Sequence, residues 1–221
     1  MNIAMIPARM GSQRLKQKNL RELGGVPLIT RAIRKCKDAA CFDEIWVNSE
    51  DLAFGNIAAA EGVSFHRRPA ELADHVATSE QFVYEFLMKH PCERVFQVHS
   101  IAPLLTADQA REFVRGMTES GCDTMLCYTP EQIECAYEGQ PVNFSFDAKT
   151  NSQELKPVQR IPWSITGWRR ATYLAAADAG RTATYSGRIG FFPVDRLAGV
   201  IIKTDEDLRM AEALLPLRAG L

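Results

Sequence analysis

An α/β domain built on a mostly parallel sheet with helices on both faces is the fold class the sequence predicts, from three observations. Short apolar runs recur at 3–6, 44–47, 63–65, 94–98 and 124–128, each of strand length. Stretches with apolar residues at helical spacing lie between them. Strands lacking a polar face need cover on both sides, and the intervening helices provide it. The chain has 221 residues, 46% of them hydrophobic, which suits one domain with a substantial core.

The elements follow in order. The first strand runs into a polar stretch at 7–19, and a helix then shows Leu28, Ile29, Ala32, Ile33 and Cys36 on one face. Strands at 44–47 and 63–65 precede a helix opened by Thr78-x-x-Gln81, with Phe82, Val83, Phe86 and Leu87 inward. The strand at 94–98 precedes another, opened by Thr106-x-x-Gln109, with Ala110, Phe113, Val114 and Met117 inward. Both openings have the form of a capping box, in which a hydroxyl accepts from a free amide and the third residue reaches back.

After the strand at 124–128 the rhythm fails. Pro130, Pro141, Pro157 and Pro162 interrupt a polar segment over about 129–180, which is expected to leave the sheet as an arm suited to packing on a second subunit. The sheet is expected to resume at 189–193 and 199–202. A last helix starts at Asp205 behind Thr204-x-x-Asp207, with Leu208, Ala211, Leu214 and Leu215 inward. The expectation is one domain over 1–221, with no internal repeat or low-complexity tract.

The net charge of −1 provides no global field toward nucleic acid or an anionic membrane. No apolar run approaches the roughly 20 residues that span a bilayer, and Arg9 interrupts the N-terminal stretch, so a cytoplasmic protein is expected. Cys36, Cys41, Cys92, Cys122, Cys127 and Cys135 form no CxxC pair and are expected to be free thiols. His66, His75, His90 and His99 include no HExxH pair, so spacing points to no zinc site.

The stretch MIPARMGSQRLKQKN carries the functional signal. In an open parallel sheet the first strand-to-helix loop borders the crevice where ligands bind, and 7–19 is too long for a tight connection. Gly11 lets the backbone approach a ligand, Ser12 adds a hydroxyl, and Arg9, Arg14 and Lys18 add cations. The group suits a polyphosphate, although a solvated basic loop has the same composition. It is neither a GxxxxGK[ST] loop nor a GxGxxG turn.

IPARMGSQRLKQKNL followed by GGVPLITRAI resembles the signature loop of the CMP-sialic acid synthetase group of cytidylyltransferases. The likeness extends along nearly the whole chain through FDEIWVNSED, FHRRPAELA, ATSEQFVYEF and RIGFFPVDRLAGVIIKTDEDLRMAE. It implies a Rossmann-like nucleotidyltransferase fold with a dimerisation arm, hence a homodimer. It also implies transfer of CMP from CTP to a sugar acid such as an acylneuraminate or related nonulosonate, with Mg2+ and release of pyrophosphate. By the same resemblance Arg9, Gly11, Ser12, Arg14, Lys18 and Asn19 surround the nucleotide, Arg68 and Ser79 line the same cleft, and Arg9 and Lys18 are the catalytic cations. Arg68 paired with Glu71, and Ser79 or Thr78 as a helix cap, are the purely structural alternatives.

The chain departs from the group's pattern on one side. His99-Ser100-Ile101-Ala102-Pro103 stands where the group has Gln-x-Thr-Ser-Pro, and Thr166 stands where it has Asn. Ile201 and Lys203 occupy the positions of its two metal-binding aspartates, and neither ligates a hard cation. Asp205 is the nearest replacement ligand, although acidic residues in a first helical turn also favour the helix dipole. His99 and Lys203 become acceptor-side candidates, the first as base or phosphate donor and the second as a fixed charge on phosphate. Three readings follow: a cytidylyltransferase, with a sugar acid or a different anionic acceptor; a silent nucleotide-binding paralogue; and an unrelated Rossmann-like sugar-handling protein with a decorative loop.

Overall fold

The computed structural model describes residues 1–74 and 76–218; His75 lies outside the described residues. In chain order the elements are β1 (Asn2–Pro7), β2 (Glu22–Leu23), β3 (Val26–Pro27), α1 (Leu28–Ala39), β4 (Glu44–Ser49), α2 (Leu52–Ala60), β5 (Ser64–Arg67), α3 (Ser79–Lys89), β6 (Arg94–Val98), α4 (Ala107–Ser120) and β7 (Thr124–Glu131). After them come β8 (Ala136–Tyr137), β9 (Gln140–Pro141), β10 (Val158–Arg160), β11 (Ile165–Arg169), α5 (Arg170–Asp178), β12 (Ile189–Pro193) and α6 (Asp205–Leu214).

The main sheet has the order β10-β7-β11-β6-β1-β4-β5, with β12 also paired to β7. Pairs β1–β4, β1–β6, β4–β5 and β7–β12 are parallel; β11 runs antiparallel to both β6 and β7. Alternation along β1 shows why its run is apolar throughout. Ala4 and Ile6 join the core under α1, α2 and α4, while Ile3 and Met5 join the opposite core with Val83, Phe86 and Tyr173. Both faces are therefore covered, as expected of parallel strands. A smaller cluster of Leu15, Leu23, Leu104, Ile202 and Leu208 seats α6 against the first loop.

All three capping boxes form, at Thr78, Thr106 and Thr204. All six cysteines are free. Among the described residues no helix is long and apolar enough to cross a membrane.

Three expectations need correction. The segment expected to be irregular over 129–180 is shorter, because β7 runs on to Glu131 and the chain returns to the sheet as β10 and β11 and then forms α5. The signal at β11 was hidden by Thr166 and Gly167, a polar and a small residue in a strand whose Ile165 and Trp168 are buried, and by Ser164 just ahead of it. The Ser164 hydroxyl is satisfied internally by the Ala198 carbonyl at 2.5 Å, so burial is not costly there. Residues 199–202 form no strand; Gly199 and Val200 close turns onto Arg196 and Leu197, and Ile202 N donates once to Ile101 O at 2.9 Å. Finally, α2 was not foreseen, since LAFGNIAAA has no polar stripe. Asp51 nonetheless starts it, its carboxylate accepting from Ala53 N at 2.8 Å.

Candidate functional site

Strand order reverses at β1, whose neighbours β4 and β6 lead the chain to opposite sides. A crevice beyond the carboxyl ends of strands at such a point is where open α/β sheets take ligands. A cleft of about 230 Å3 lies there, walled by residues 7–9 after β1, by His99, Ser100 and Ile101 after β6, and by Ser12, Lys18, Asn19, Arg68, Ser79 and Phe82.

Local bonds place each of these groups. Ala8 N extends the β1 pairing to Asn48 O at 3.0 Å, and Met10 N donates to Glu50 Oε1 at 2.9 Å, which turns the loop out over the sheet edge. Asn19 is buried and joins the two strand ends: its Nδ2 donates to Arg9 O at 3.1 Å, and its Oδ1 accepts from Ser100 Oγ at 2.7 Å. Arg9 Nη1 donates to Asp74 O at 2.9 Å. Ser79 is exposed at the start of α3 and faces the cleft, while Thr78 makes the cap.

Arg68 is the most enclosed cation, 4% exposed. Its Nη2 donates to Ala8 O at 2.7 Å and to Glu50 Oε2 at 3.2 Å, and its guanidinium carbon stands 4.7 Å from the centroid of the Phe82 ring. The partner is thus Glu50 rather than Glu71. Its Nε is buried with no hydrogen-bond partner, a donor of the planar fork left unmatched beside the cleft.

Electrostatics favour an anion. Burial pulls the Lys18 ammonium below its ordinary value, and Arg14, Arg9 and Lys203 add to the fall, with Asp207 opposing. Arg14 and Lys203 lie outside the cleft wall yet within reach of its field. Burial also lowers Arg68, with Glu50 opposing. Part-buried His99 is pushed down to about 4, first by burial and then by Lys18, so its imidazole is neutral at pH 7.

The structure brings together Arg9, Ser12, Lys18, Asn19, Arg68, Ser79 and His99. Gly11 and Arg14 are exposed on the loop away from the wall, and Lys203 is exposed beside α6. Sequence reasoning missed Glu50 and assigned Phe82 to the helix core. Glu50 follows β4 at the acidic end of FDEIWVNSED, which was the available signal; nothing local distinguishes Phe82 from Phe86.

The residues present do not fit a protein-held divalent cation. Ile201 and Lys203 offer no oxygen ligand. Asp205 is held by Arg21 Nη2 at 3.0 Å, and Asp207 Oδ2 accepts from Lys203 N, Thr204 N and Thr204 Oγ1 at 2.8, 2.8 and 2.9 Å. Among the described residues no group of three or more His, Cys, Asp or Glu is arranged to hold a metal ion.

Those bonds outweigh burial and hold the Asp207 carboxyl below its ordinary value. Its capping contribution is accordingly present above the unfolded carboxylate range near ~4 and is lost as pH falls through the lower folded value. Asp207→Ala is expected to cost about 1 kcal/mol at pH 7. Urea melts of both proteins from pH 7 to pH 2 should show the gap closing at the acid end, and a gap that does not change with pH would refute the cap.

A mostly parallel sheet with a polycationic crevice at its switch point defines an α/β protein of nucleotidyltransferase-like fold. The chain belongs to the cytidylyltransferase family, whose model, described as Cytidylyltransferase, matches residues 3–196.

Among curated proteins, N-acylneuraminate cytidylyltransferase A of Danio rerio is 27% identical over 165 residues, covering 73% of this chain and 38% of that one. The B form from the same fish is 24% identical over 218 residues, covering 95% and 50%. The N-acylneuraminate cytidylyltransferase of Streptococcus agalactiae serotype V is 24% identical over 194 residues, covering 83% and 47%. The chain spans half the length of these relatives or less. Two solved structures share the fold. CMP:2-keto-3-deoxy-manno-octonic acid synthetase complexed with CTP superposes with a TM-score of 0.73 at 18% identity, covering 98% of both chains. The 4-diphosphocytidyl-2C-methyl-D-erythritol synthase of Anaerococcus prevotii superposes at 0.69 and 12%, covering 97% and 98%.

Proposed function

We propose that the chain is a cytidylyltransferase that transfers CMP from CTP to a hydroxyl of a sugar acid, of the acylneuraminate or related nonulosonate kind, with release of pyrophosphate. The observation that carries this reading is the convergence of Arg9, Lys18 and Arg68 on one cleft at the sheet's switch point, in a chain of this family. Arg9 and Lys18 bind the triphosphate, with Arg14 and Lys203 adding field, and Ser12 and the loop backbone donate to phosphate oxygens. The acceptor oxygen forms a bond to the α-phosphorus as the bond to the bridging oxygen breaks, and these cations stabilise the charge gathering on the departing pyrophosphate. His99, neutral, accepts a hydrogen bond from the attacking hydroxyl and orients it, and the hydroxyl proton is released to water as the new bond to phosphorus forms. A second copy of the chain suits the segment around β8 and β9, which exposes Ile133, Tyr137, Val142 and Phe146, so we read the enzyme as a homodimer.

A silent nucleotide-binding paralogue is the second reading, favoured by Ile201 and Lys203 where carboxylates would hold a metal. Calorimetric titration with CTP, ATP, GTP and UTP, each with and without magnesium, followed by pyrophosphate release with sugar acids, separates the two. The enzyme is expected to prefer CTP, to bind it in EDTA with affinity reduced by no more than about tenfold, and to release pyrophosphate with its acceptor. Binding without turnover on any acceptor would support the paralogue, and no nucleotide binding would end both readings.

A further inference from the structure

A second cavity, about 390 Å3, shares no lining residue with the cleft. It opens between α1, the turn at 103–107 and the last described turn, Leu215–Arg218. Four cations reach its wall: Arg31, Arg34, Lys35 and Arg218, against Asp38 as the one acid. Arg34 is paired with Glu61 and Arg218 with Asp195.

The other two are different. Among the described residues neither Arg31 nor Lys35 has an ion-pair partner, and each makes one hydrogen bond to a backbone carbonyl: Arg31 Nε to Leu23 O and Lys35 Nζ to Ala102 O, both at 2.7 Å. Lys35 is 7% exposed. An ammonium has three donors, so two of Lys35's are unmatched at a nearly dry site. Arg218, on the same wall, has a buried Nε without a partner among the described residues, a third unmatched donor.

Burial holds Lys35 down at about 8, with Cys36 opposing and Arg218 and Arg31 contributing to the fall. Arg31 is lowered by burial and by Arg34. A lysine serving only to tie α1 to Ala102 needs one acceptor and gains nothing from two arginines nearby. Crowded, under-bonded cations around a cavity are stabilised by a multivalent anion, which supplies acceptors and opposite charge together.

We propose that this cavity is a second anion site, separate from the nucleotide cleft, that takes a small free phosphate anion such as pyrophosphate or inorganic phosphate. The arginine forks match phosphate oxygens, and Lys35 closes the site from its buried end.

The test uses the full chain with Arg9→Ala and Lys18→Ala together, which disables the cleft, titrated calorimetrically with pyrophosphate, inorganic phosphate and CMP. One pyrophosphate per chain is expected to bind still, and adding Arg31→Ala is expected to weaken it about tenfold or more. Lys35→Met, of similar length and without charge, should do the same while the thermal midpoint reports on folding. CMP is expected not to compete; displacement by CMP would mean that an esterified phosphate is read, and the free-anion assignment would fail. No binding to the cleft-disabled chain, or binding indifferent to both Arg31→Ala and Lys35→Met, would overturn the proposal.

Discussion

Lys18→Ala is expected to weaken CTP binding by about a hundredfold or more, the size of losing one enclosed charged contact to phosphate. Lys18 stands in the cleft wall among Arg9, Arg14 and Lys203, and its ammonium is disfavoured there by burial and by those neighbours. An incoming triphosphate reverses both penalties. The sign of the pH effect follows: the free protein's Lys18 has a lowered value and bound phosphate raises it, so between the two values binding takes up a proton. Affinity should therefore fall as pH rises through that window and be level below it. Calorimetry in buffers of different ionisation heat measures the uptake. Lys18→Arg should bind with no such uptake at this position, because a guanidinium stays protonated throughout. Equal affinity of Lys18→Ala and the parent would remove this residue from the phosphate site.

Gly167→Val is expected to destabilise the protein by about 3 kcal/mol or more and to lower its melting temperature by roughly 6–12 °C. Gly167 lies in β11 between β6 and β7, where a Cβ would stand 2.5 Å from Met117 Sδ and 2.8 and 2.9 Å from the Phe96 ring. Both neighbours are fully buried, so the strain cannot be relieved at the surface. The effect should reach the cleft, because His99 N donates to Ser164 O just ahead of β11. Thermal melts check the first part. A double-mutant cycle of Gly167→Ala with Met117→Ala checks the contact, since the pair should cost less than the two changes added. A Gly167→Val protein melting with the parent would show that β11 has room the geometry denies.

Periodicity and end signals made most of the fold legible. The run at 94–98 became β6 with the same bounds, because a strand buried on both faces has no polar interruption to blur its ends, and the run at 189–193 became β12 with the same bounds although Ile189, Phe191 and Pro193 are exposed. Thr78, Thr106 and Thr204 marked helix starts because a cap acts within four residues of itself. The first loop was legible for the same reason: its charges, Gly11 and Ser12 are neighbours in the chain, and its place after the first strand puts it beside the crevice.

Tertiary structure decided the rest, and distance along the chain is the physical reason. Arg68 acquires Glu50, Ala8 and Phe82 from three separate elements, so no window of sequence could choose Glu50 over the nearer Glu71. The neutrality of His99 depends on burial and on Lys18, eighty-one positions before it by numbering and beside it in space. Thr166 and Gly167 look like breakers of a strand until Phe96 and Met117 are seen to need the space that glycine leaves. Lys35 reads as a polar position on an amphipathic helix, and only the packing of the 102–107 turn and Arg218 against α1 makes it a buried cation. Local pattern determined which elements form and which loop carries charge; desolvation and charge pairing, which sum over contacts distant in sequence, determined what those charges face.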